Sequence, residues 1–554
     1  MERADREGVR LECDRQGCLG APTFRDAVPL QTRSSMTRSV AIVGAGPGGL
    51  AAAMLMAAAG AEVTVFERGS RIGGRTQRLE LGDYRFDTGP TFFLYPRIIE
   101  EIFAHCGYDF HREVDMVRID PLYEILFMAP SGGWDELKVW AVPERLAAAV
   151  AGFSPQDAAG LVRFMADNRA KLEAFNPVLS RPFQGMADLL APPVLGALAH
   201  LRPWASLDTD LKRYFKDPRL RLAFSFQSKY LGMSPYRCPS LFSILSFLEH
   251  EHGVWHPIGG CNSVMEVMAR LARQMGVHFE LDTAVDEIVF DRRRATGVRT
   301  AAGVQLADAV IVNADFSHAI QRLVPNSLRS RWSDKQLAKK QYSCSTFMLY
   351  LGIEGTVDLQ HHTVVLAEDY MTNLREIEDG LTPPAAPSAY VQNASLTDPT
   401  LAPAGHSALY VLVPVGNLQG GIDWAALRGQ YRAQVLQRLE RLGVRNLESR
   451  IRCEKVVTPA DWEKDHAIFR GATFNLAHNL SQMLCWRPQN RFEELDGVYL
   501  VGGGTHPGSG LPVIFEGARI TARLLSKDLG LRPVESRSAL AFADMPQPGA
   551  VGLQ

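Results

Sequence analysis

A cluster of glycines near the start of the chain has the spacing of a phosphate-binding turn. Its members are Gly44, Gly46, Pro47, Gly48 and Gly49, and three of the glycines follow the pattern G-x-G-x-x-G. Gly44 permits a tight turn, Gly46 lets the backbone approach a pyrophosphate, and Gly49 lets a helix pack closely on a strand. Free N–H groups at the start of that helix then bind the phosphates. The chemistry that this motif indicates is the binding of a phosphate-bearing ligand.

The turn needs a strand before it and a helix after it, and the sequence predicts both. Residues 40–43 are a short apolar run, as in a strand buried on both faces. Residues 50–59 favour a helix that ends at Gly60. A second strand at residues 62–66 leads into Glu67, and an acidic side chain there accepts hydrogen bonds from an adenosine ribose. Together these features predict a dinucleotide site, with a coincidental glycine turn as the alternative.

The residues after Glu67 bear on which dinucleotide is bound. Arg68 follows directly, and Gly73, Gly74 and Arg75 come a few residues later. A second glycine pair followed by a basic residue resembles the motif that lies along FAD in flavoproteins of the amine oxidase and carotenoid desaturase superfamily. The resemblance implies FAD as the cofactor, with Arg68, Gly74 and Arg75 among its contacts. The alternative is a glycine hairpin with solvated arginines.

A second strand that ends in glycines lies near the C-terminal end. Residues 498–501 are apolar, and the glycines after them include Gly503 and Gly504, before Thr505 and His506. Such a turn brings backbone N–H groups to the pyrophosphate or ring system of a flavin. Gly503, Gly504 and Thr505 are therefore predicted contacts. Flavoproteins often carry an aspartate here that binds the ribitol, and this chain has Thr505 and His506 instead.

Several longer runs match one family within this superfamily. Three of them resemble the bacterial-type phytoene desaturases and their relatives that act on C30 carotenoids: VAIVGAGPGGLAAA, ERGSRIGGRT and GVYLVGGGTHPGSGLPVIFEGARITARLL. Shorter matches are HHTVVLAEDY at residues 361–370, LAHNL at 476–480 and WRPQNR at 486–491. The resemblance covers residues 38 to about 530. It implies an FAD-dependent carotenoid desaturase that transfers hydride to the flavin, and it places a backbone group of Val285 against the adenine.

The strand and helix patterns, together with this resemblance, predict an α/β fold. It consists of a discontinuous Rossmann-like FAD-binding domain and a substrate domain of mixed sheet and helices, similar to the amine oxidase superfamily. We assign residues 36–115, 255–315 and 465–532 to the FAD-binding domain, and residues 116–254 and 316–464 to the substrate and membrane-contact domain. We expect residues 1–35 to be a disordered extension, Met36 to be the true start, and residues 533–554 to be a flexible tail.

Removal of hydrogen across a C–C bond that flanks existing double bonds needs no strong nucleophile and no metal. Once hydride has left, conjugation stabilises the cation, and the protein supplies alignment, a dry site and a sink for one proton. His506 is a candidate for placing the flavin ring or taking the proton. Glu516, expected to begin a helix beside the same turn, is a second candidate. A loop-capping histidine and a carboxylate that favours the helix dipole are the structural alternatives.

His361, His362, Glu368 and Asp369 are residue types that can bind a metal. No further group of such residues lies near them in the sequence, so we predict no metal and expect a structural or tunnel-lining role. The eight cysteines form no C-x-x-C pair, which argues against zinc and dithiol redox sites. Their scatter indicates a reduced, cytoplasmic chain.

Composition excludes several classes of protein and partner. Of the 554 residues, 46% are hydrophobic and 22% are charged, which is typical of a folded globular protein. A net charge of −2 provides no electrostatic reason to expect nucleic acid as a partner. No uninterrupted apolar run reaches the roughly 20 residues that span a bilayer. A second G-x-G-x-x-G unit for NAD is absent, so oxygen or a membrane quinone is the expected electron acceptor.

A long apolar polyene has no polar group, so its site must be an apolar tunnel with a route from lipid. Residues 175–205 mix apolar side chains, arginines and Trp204 without a charged face. We expect part of this segment to rest in the membrane interface, with Trp204 and the arginines at the headgroups. The protein would then lie peripherally on the inner face of the membrane. A pair of core helices in the substrate domain is the alternative.

Other functions remain open at this point. A carotenoid terminal-methyl oxidase or a carotenoid isomerase of the same family would carry the same motifs. An amine oxidase shares the Rossmann features but fits the C-terminal run less well. Relatives of this fold also escort prenylated proteins without redox chemistry. The intact glycine turn, Glu67, Gly73 and Gly74 argue against such an escort, because they favour a retained flavin.

Overall fold

The computed structural model describes residues 37–129 and 133–534. The predicted extension at residues 1–35, the proposed start at Met36 and most of the predicted tail, residues 535–554, lie outside the described residues.

The strands of the described residues, in chain order, are β1 (Ser39–Val43), β2 (Glu62–Phe66), β3 (Arg78–Leu81), β4 (Tyr84–Asp87), β5 (Phe93–Leu94), β6 (Met116–Arg118), β7 (Tyr123–Met128), β8 (Trp134–Val139), β9 (Val254–Pro257), β10 (His278–Glu280), β11 (Val285–Asp291), β12 (Arg294–Thr300), β13 (Gly303–Leu306), β14 (Ala309–Val312), β15 (Ser345–Ile353), β16 (His362–Val365), β17 (Ala389–Asn393), β18 (Ser407–Val415), β19 (Ile451–Val457) and β20 (Val498–Leu500).

The α-helices of the same residues are α1 (Pro47–Ala58), α2 (Arg97–His105), α3 (Phe110–Glu113), α4 (Pro143–Phe153), α5 (Ala158–Leu179), α6 (Pro192–Leu201), α7 (Leu207–Leu211), α8 (Pro218–Ala223), α9 (Ser243–His252), α10 (Cys261–Gln274), α11 (Phe316–Leu323), α12 (Asp334–Ala338), α13 (Tyr370–Asp379), α14 (Trp424–Glu440), α15 (Leu447–Arg450), α16 (Pro459–His466) and α17 (Leu511–Leu529).

The first sheet contains five parallel strands in the order β10-β2-β1-β14-β20. Its central strand β1 is apolar, as expected for a parallel strand that is covered on both faces. The helix after the glycine turn begins at Pro47, where the missing N–H and the preset φ of proline are tolerated. Because parallel strands end at the same edge, the turns after β1, β14 and β20 lie side by side.

The second sheet is mixed and has seven strands in the order β19-β15-β18-β17-β16-β7-β8. Its neighbours are antiparallel except for β16 and β7. Every residue of β15 is buried, because the strand is covered on both faces. Phe347, Leu349 and Leu351 belong to the same core as α14. Met348 and Tyr350, which alternate with them, pack in a core that includes the β3–β4 hairpin.

A layer of helices, α4 to α9, packs against β7 and β8 and forms its own core. The longest of these helices, α5, contacts both α6 and α9. The second helix of that pair, α9, also contacts β5. The helical layer therefore lies next to the segment that enters β5.

The segment from Thr88 to β5 connects the glycine pair to the second sheet. The Thr88 hydroxyl donates to the carbonyl of Arg75 (3.0 Å). From the second sheet, the Tyr350 hydroxyl donates to the carbonyl of Thr88 (2.6 Å) and the Tyr410 hydroxyl donates to that of Gly89 (2.8 Å). This segment is thus fixed between the predicted cofactor motif and the second sheet.

The two sheets draw their strands from different parts of the chain. The first takes its strands from residues 39–66, 278–280, 309–312 and 498–500, and the second takes its strands from residues 123–139 and 345–457. Strands β11, β12 and β13, between β10 and β14, form a separate three-stranded sheet. The predicted α/β class, with mixed sheets and helices, is confirmed. The boundaries of the two domains stay a prediction.

Candidate functional site

The turn between β1 and α1 is built so that its backbone stays bare. Gly44 has a φ of 99°, and a Cβ at this position would lie 2.2 Å from the backbone oxygen of Asn313. The side-chain amide of Asn313 donates to the backbone oxygen of Gly44 (3.0 Å). Gly46 and Gly74 face each other, because a Cβ on Gly74 would come within 3.2 Å of the Gly46 Cα. Within the described residues no side chain caps the start of α1, so its first N–H groups are available to a phosphate.

Glu67 is held beside this turn at the end of β2. It is 8% exposed. Its Oε2 accepts from the backbone N–H of Ala45 (2.9 Å) and its Oε1 accepts from that of Gly69 (2.9 Å). An acidic side chain in this place suits the hydroxyl groups of a ribose.

Arg68 and Val285, the other predicted contacts of the adenosine half, flank Glu67. The N–H of Thr283 donates to the carbonyl of Glu67 (2.8 Å), and Val285 begins β11 two residues later. Val285 is 7% exposed. Arg68 is exposed, and its guanidinium donates to the carbonyl of Asp465 (2.7 Å). The three residues therefore lie at one end of the first sheet, and their contacts to a cofactor stay a prediction.

Arg75 is anchored by residues that the sequence did not mark. Its guanidinium donates to the carbonyl of Thr473 and to the side-chain oxygen of Asn475 (3.2 Å). The side-chain nitrogen of Asn475 in turn donates to the carboxylate of Asp315 (2.7 Å). Burial lowers the pKa of Arg75, and the charge of Asp315 opposes that shift. Burial also raises the pKa of Asp315 to about 6. A guanidinium next to the bare turn is suited to a pyrophosphate.

The turn after β20 is held by residues 487–491. This run resembles the family, but the sequence predicted no role for it. Arg487 is fully buried and donates to the carbonyls of Gly503 (2.7 Å) and Thr505 (3.2 Å). Burial lowers the pKa of Arg487 to about 9. The side chain of Asn490 donates to the carbonyl of His506 (3.0 Å). These bonds fix the backbone of the predicted flavin-binding turn.

The two glycine turns meet at one edge of the first sheet. A Cβ on Gly48 would lie 2.4 Å from the Val501 side chain, so α1 approaches the second turn as closely as glycine permits. The bare helix start, the carboxylate of Glu67 and the cation of Arg75 lie around this edge and fit the phosphates and ribose of FAD. Direct contacts of Gly503, Gly504 and Thr505 with FAD stay a prediction.

His506 lies against the segment that precedes the 3-10 turn Met186–Leu190 in the helical layer. Its Nε2 donates to the carbonyl of Arg181 (3.1 Å), and its ring meets that of Phe183 edge to face at 5.1 Å. Burial lowers the pKa of His506 to about 4, so the imidazole is neutral at physiological pH. Its Nδ1 is buried and has no hydrogen-bond partner in the described part of the chain. A role in placing the flavin or taking a proton stays a prediction.

Glu516 does not begin a helix, and that expectation is wrong. The helix α17 starts at Leu511, because Pro512 fits the first turn, where no intrahelical N–H is needed. Glu516 is 4% exposed and its carboxylate pairs with Arg519 (3.0 Å) and Arg523 (3.9 Å). These partners, rather than the helix start, compensate its charge. A catalytic role for Glu516 stays a prediction.

Where the segment from Thr88 reaches the second sheet, it enters a group of polar and aromatic side chains. We call this group the Phe92 cluster, and its members are Phe92, Tyr123, Gln227, Tyr230, Glu249, His362 and Tyr390. Phe92 stacks on His362 with ring centroids 4.1 Å apart and lies 5.4 Å from Tyr230. The His362 Nδ1 and the Tyr390 hydroxyl are 2.7 Å apart. Phe92, Tyr230 and Tyr390 are half-buried, so these three residues are not sealed within the core. Of these members the sequence marked His362 alone.

The four residues considered as metal ligands serve other purposes. His361 Nδ1 bonds to the Thr397 hydroxyl (2.8 Å). Glu368 pairs with Arg438 (3.6 Å), and Asp369 accepts from the N–H of Thr372 (3.0 Å) at the start of α13. Over residues 37–129 and 133–534, no group of three or more His, Cys, Asp or Glu side chains is placed to hold a metal ion.

Residues 175–205 form the end of α5, a 3-10 turn at Met186–Leu190 and α6. One side of α6 is buried through Val194, Ala197 and Leu201. The large apolar side chains of this segment that are exposed are Met186 (60%), Leu190 (72%), Leu195 (49%), Leu198 (39%) and Trp204 (72%). Among the helices of the described residues, none has the length and apolar character needed to span a bilayer.

Comparison with known proteins places this geometry in a family. The model of the family described as flavin containing amine oxidoreductase matches residues 47–528. The chain is 43% identical over 493 residues to a 4,4'-diapophytoene desaturase (4,4'-diapolycopene-forming) of Methylomonas sp, with 89% of this chain and 96% of that protein covered. It is 38% identical over 516 residues to an all-trans-zeta-carotene desaturase of Myxococcus xanthus, with 91% and 96% covered.

Solved structures agree on the fold. An oxidoreductase from Methanosarcina mazei superposes with a TM-score of 0.60 at 17% identity, covering 87% of this chain and 98% of that one. Putrescine oxidase with putrescine bound superposes with a TM-score of 0.55 at 16% identity, covering 89% and 99%. The chain therefore belongs to the flavin-containing amine oxidoreductases and, within them, to the carotenoid desaturase family of FAD-dependent enzymes that act on CH–CH bonds.

Proposed function

We propose that this protein is a desaturase of carotenoid biosynthesis that dehydrogenates an acyclic C30 or C40 carotene. The observation that carries the proposal is the position of the Phe92 cluster. Thr88 is bonded to Arg75 (3.0 Å) next to the cofactor motif, and four residues later Phe92 enters the group of aromatic rings. An apolar polyene bound along these rings would therefore lie next to the cofactor.

Bound FAD supplies the acceptor for a hydride. The protein supplies the surroundings for the positive charge that spreads over the hydrocarbon when hydride leaves. The faces of Phe92, Tyr230 and Tyr390 are suited to this task, because aromatic rings attract cations. The surrounding core residues exclude water, which would otherwise trap the cation.

We propose the cofactor contacts by the part of FAD that each group suits. The pyrophosphate would be held by the turn of Gly44, Gly46, Pro47, Gly48 and Gly49. The adenosine would lie against Glu67, Arg68 and Val285, the central part against Gly74 and Arg75, and the flavin end against Gly503, Gly504 and Thr505. The bare backbone between Gly46 and Gly74 supports this arrangement.

The test of the activity is conversion of a colourless precursor. The full chain is expressed in cells that accumulate dehydrosqualene (C30) or, separately, phytoene (C40), and the pigments are analysed by absorption and mass. The C30 precursor is tested first, because the relative of 43% identity is named for a C30 substrate. Loss of hydrogen pairs with a lengthened polyene spectrum is expected. A Gly46→Val variant, which crowds Gly74, should leave the precursor colourless.

The activity proposal has a clear opposing outcome. If neither colourless precursor changes while the protein carries FAD, coloured carotenoids are supplied instead. Oxidation of a terminal methyl group or a change of double-bond geometry alone would then replace desaturation as the function.

We further propose that the exposed apolar side chains of the segment around α6 rest on the cytoplasmic face of a membrane. An apolar patch of this kind is unusual on a protein surface that meets only water. A carotene is dissolved in lipid, so an entrance at the bilayer is where the substrate is found. Trp204, 72% exposed, has the amphipathic ring that headgroup regions favour.

Flotation with liposomes tests this surface. Wild-type protein should float with vesicles, and a variant with Leu190→Ser, Leu195→Ser and Leu198→Ser should not. The control replaces Val304 (43% exposed) and Leu306 (51% exposed) of β13 by Ser and should float like wild type. Equal flotation of both variants would contradict the proposal.

A membrane position also favours a quinone as the acceptor that reoxidises the enzyme, with oxygen as the alternative. Reduced protein under anaerobic conditions should regain its flavin absorbance on addition of quinone. No change with quinone, together with recovery in air, would assign oxygen.

A further inference from the structure

Glu249 is a buried carboxyl that no cation of the described residues compensates. It lies on α9 and is 0% exposed. Its Oε2 accepts from the Tyr123 hydroxyl (2.9 Å) and from the Gln227 amide (2.8 Å). Its Oε1 is buried and has no hydrogen-bond partner among residues 37–129 and 133–534. Burying an unpaired carboxyl oxygen costs free energy, so its presence calls for a ligand or a function.

Other unpaired atoms surround the same place. The Tyr230 hydroxyl and the His362 Nε2 are buried and lack hydrogen-bond partners in the described residues. Both rings lie against Phe92, at 5.4 Å and 4.1 Å between centroids. The Tyr230 hydroxyl is near enough to Glu249 to lower its pKa, although the two form no regular hydrogen bond. Unpaired polar atoms thus collect around the ring of Phe92, next to the segment that leads to the cofactor motif.

We propose that Glu249 is the base that takes the proton in the dehydrogenation, an inference that rests on the function proposed above. One C–H bond of the carotene gives up hydride, with both electrons, to FAD. The C–H bond on the neighbouring carbon gives up its proton to Glu249 Oε1, and its electron pair forms the new π bond. Cationic hydrocarbon and carboxylate thereby become neutral alkene and neutral carboxyl. The carboxyl returns its proton to water when the product leaves.

The surroundings tune Glu249 for this step. Burial raises the pKa of Glu249 to about 7, and hydrogen bonds from Gln227 and Tyr123 oppose the rise. A base is most effective when its pKa lies near the working pH. The ionised form also attracts the cation on the hydrocarbon, because charges interact strongly where water is excluded.

The other titratable groups of the cluster keep one charge state near pH 7. Burial raises the pKa of Tyr123 on β7, and of Tyr230 in the 3-10 turn Phe226–Leu231, well above its ordinary range. Burial lowers the pKa of His250, the next residue of α9, to about 3, and holds the pKa of His362 on β16 well below its ordinary value. A step in activity near pH 7 would therefore report Glu249.

The test uses full-length protein with FAD and carotene in liposomes. The initial rate of wild type should rise through about pH 7 as Glu249 ionises. Glu249→Gln should lower the rate about 100- to 10,000-fold and remove the step, with FAD content unchanged. The matched control is Glu124→Gln on β7, whose buried carboxyl accepts from the Thr363 hydroxyl (2.8 Å) and should keep both rate and step.

A second readout does not depend on turnover. The infrared difference between wild type and Glu249→Gln should contain the carbonyl band of a protonated carboxyl, and this band should disappear as the pH rises through about 7. Asp315 and Asp87, whose pKa values burial raises to about 6, absorb in both samples and cancel in the difference. The difference between wild type and Glu124→Gln should contain no band that disappears at about pH 7. Absence of such a band from the Glu249→Gln difference would contradict a neutral Glu249 below that pH.

Tyr123→Phe is a further variant in case Glu249→Gln does not retain FAD. It removes a hydrogen bond that lowers the pKa of Glu249, so the activity step should move to higher pH. A purely structural role of Glu249 would leave the step in place.

The two proposals fail in different ways. Wild-type rate and an unchanged pH step in Glu249→Gln would overturn the assignment of the base and leave the desaturase function intact. Failure of wild type to dehydrogenate either carotene would overturn both.

Discussion

Two buried polar clusters meet on α9 and satisfy their charges differently. The first, which we call the Lys171 cluster, consists of Asp167, Asn168, Lys171, Arg202, Asp210, Tyr214 and Ser243. Lys171 donates to Asp210 (2.6 Å) and Ser243 (2.9 Å), and Arg202 also donates to Asp210 (2.9 Å). Within the described residues, no polar side-chain atom of this cluster is buried and unpaired, whereas the Phe92 cluster contains several.

The difference indicates what each cluster does. In the Lys171 cluster every charge has a partner, so the cluster fixes α5, α6, α7 and α9 to one another beneath the exposed side of α6. In the Phe92 cluster, unpaired atoms remain beside half-buried aromatic residues, which is the arrangement expected where a ligand binds. Ser243 of the Lys171 cluster and Glu249 of the Phe92 cluster lie on the same helix, α9. The Lys171 cluster therefore also positions the Phe92 cluster.

The largest effect is expected from breaking the paired cluster. Lys171→Met should lower the free energy of unfolding by about 3–5 kcal/mol, because Asp210 then stays buried with less compensation. The measurement is urea unfolding at pH 7. The control is Arg169→Ala on the same helix, which removes an exposed pair with Glu251 (2.7 Å) and should cost less than about 1 kcal/mol. Equal effects of the two variants would show that the buried pairs do not stabilise the layer.

The open cluster should make stability depend on pH. The pKa of Glu249 is raised from 4.5 to about 7 in the folded protein, so between these values the unfolded chain releases a proton that the folded chain retains. Rising pH therefore favours unfolding, by a total on the order of 3 kcal/mol above pH 7. Below pH 4.5 both states are protonated and the effect vanishes.

Glu249→Gln removes this dependence. Wild type should lose on the order of 3 kcal/mol of its free energy of unfolding between pH 4.5 and pH 7, and the variant should not lose this contribution. The free energy of unfolding of the variant minus that of wild type should therefore increase over this range, as measured by urea unfolding. A constant difference would mean that Glu249 is ionised in the folded protein at pH 5.

Removal of one tyrosine hydroxyl from each cluster should lower the free energy of unfolding by smaller amounts, which differ between the two clusters. Tyr214→Phe removes a hydrogen bond to the charged Asp167 and should cost about 2–3 kcal/mol. Tyr390→Phe removes bonds to His362 (2.7 Å) and Thr91 (2.8 Å), and should cost about 1 kcal/mol, since its partners are neutral. The reverse order in thermal or urea unfolding would contradict the distinction between the clusters.

The elements around the first glycine turn are predictable because their determinants are local. β1, the turn, α1 and β2 follow one another within residues 39–66, and each has its own pattern of apolar residues or glycines. Boundaries are harder to predict. The start of α17 lies at Leu511 rather than at Glu516 because Pro512 is tolerated in the first turn of a helix.

The partners of the motifs needed the tertiary structure. Asn475 and Asp315 lie far from Arg75 in the sequence, and neither belongs to a motif that marks it as a partner. Arg487 belongs to a recognisable run, but only the fold shows that it bonds the turn at Gly503.

The sequence by itself determined the α/β class, the FAD cofactor and the desaturase family, because strand–turn–helix units and glycine motifs are encoded in consecutive residues. Only the tertiary structure decided where the Phe92 cluster lies. Its members come from the residue before β5, from β7, a 3-10 turn, α9, β16 and β17, and they meet through contacts between residues distant in the chain. Glu249 stands in the run Glu249-His250-Glu251-His252, where no pattern in the sequence distinguishes its role from that of Glu251. Its burial, its unpaired oxygen and its raised pKa arise only when those elements pack together.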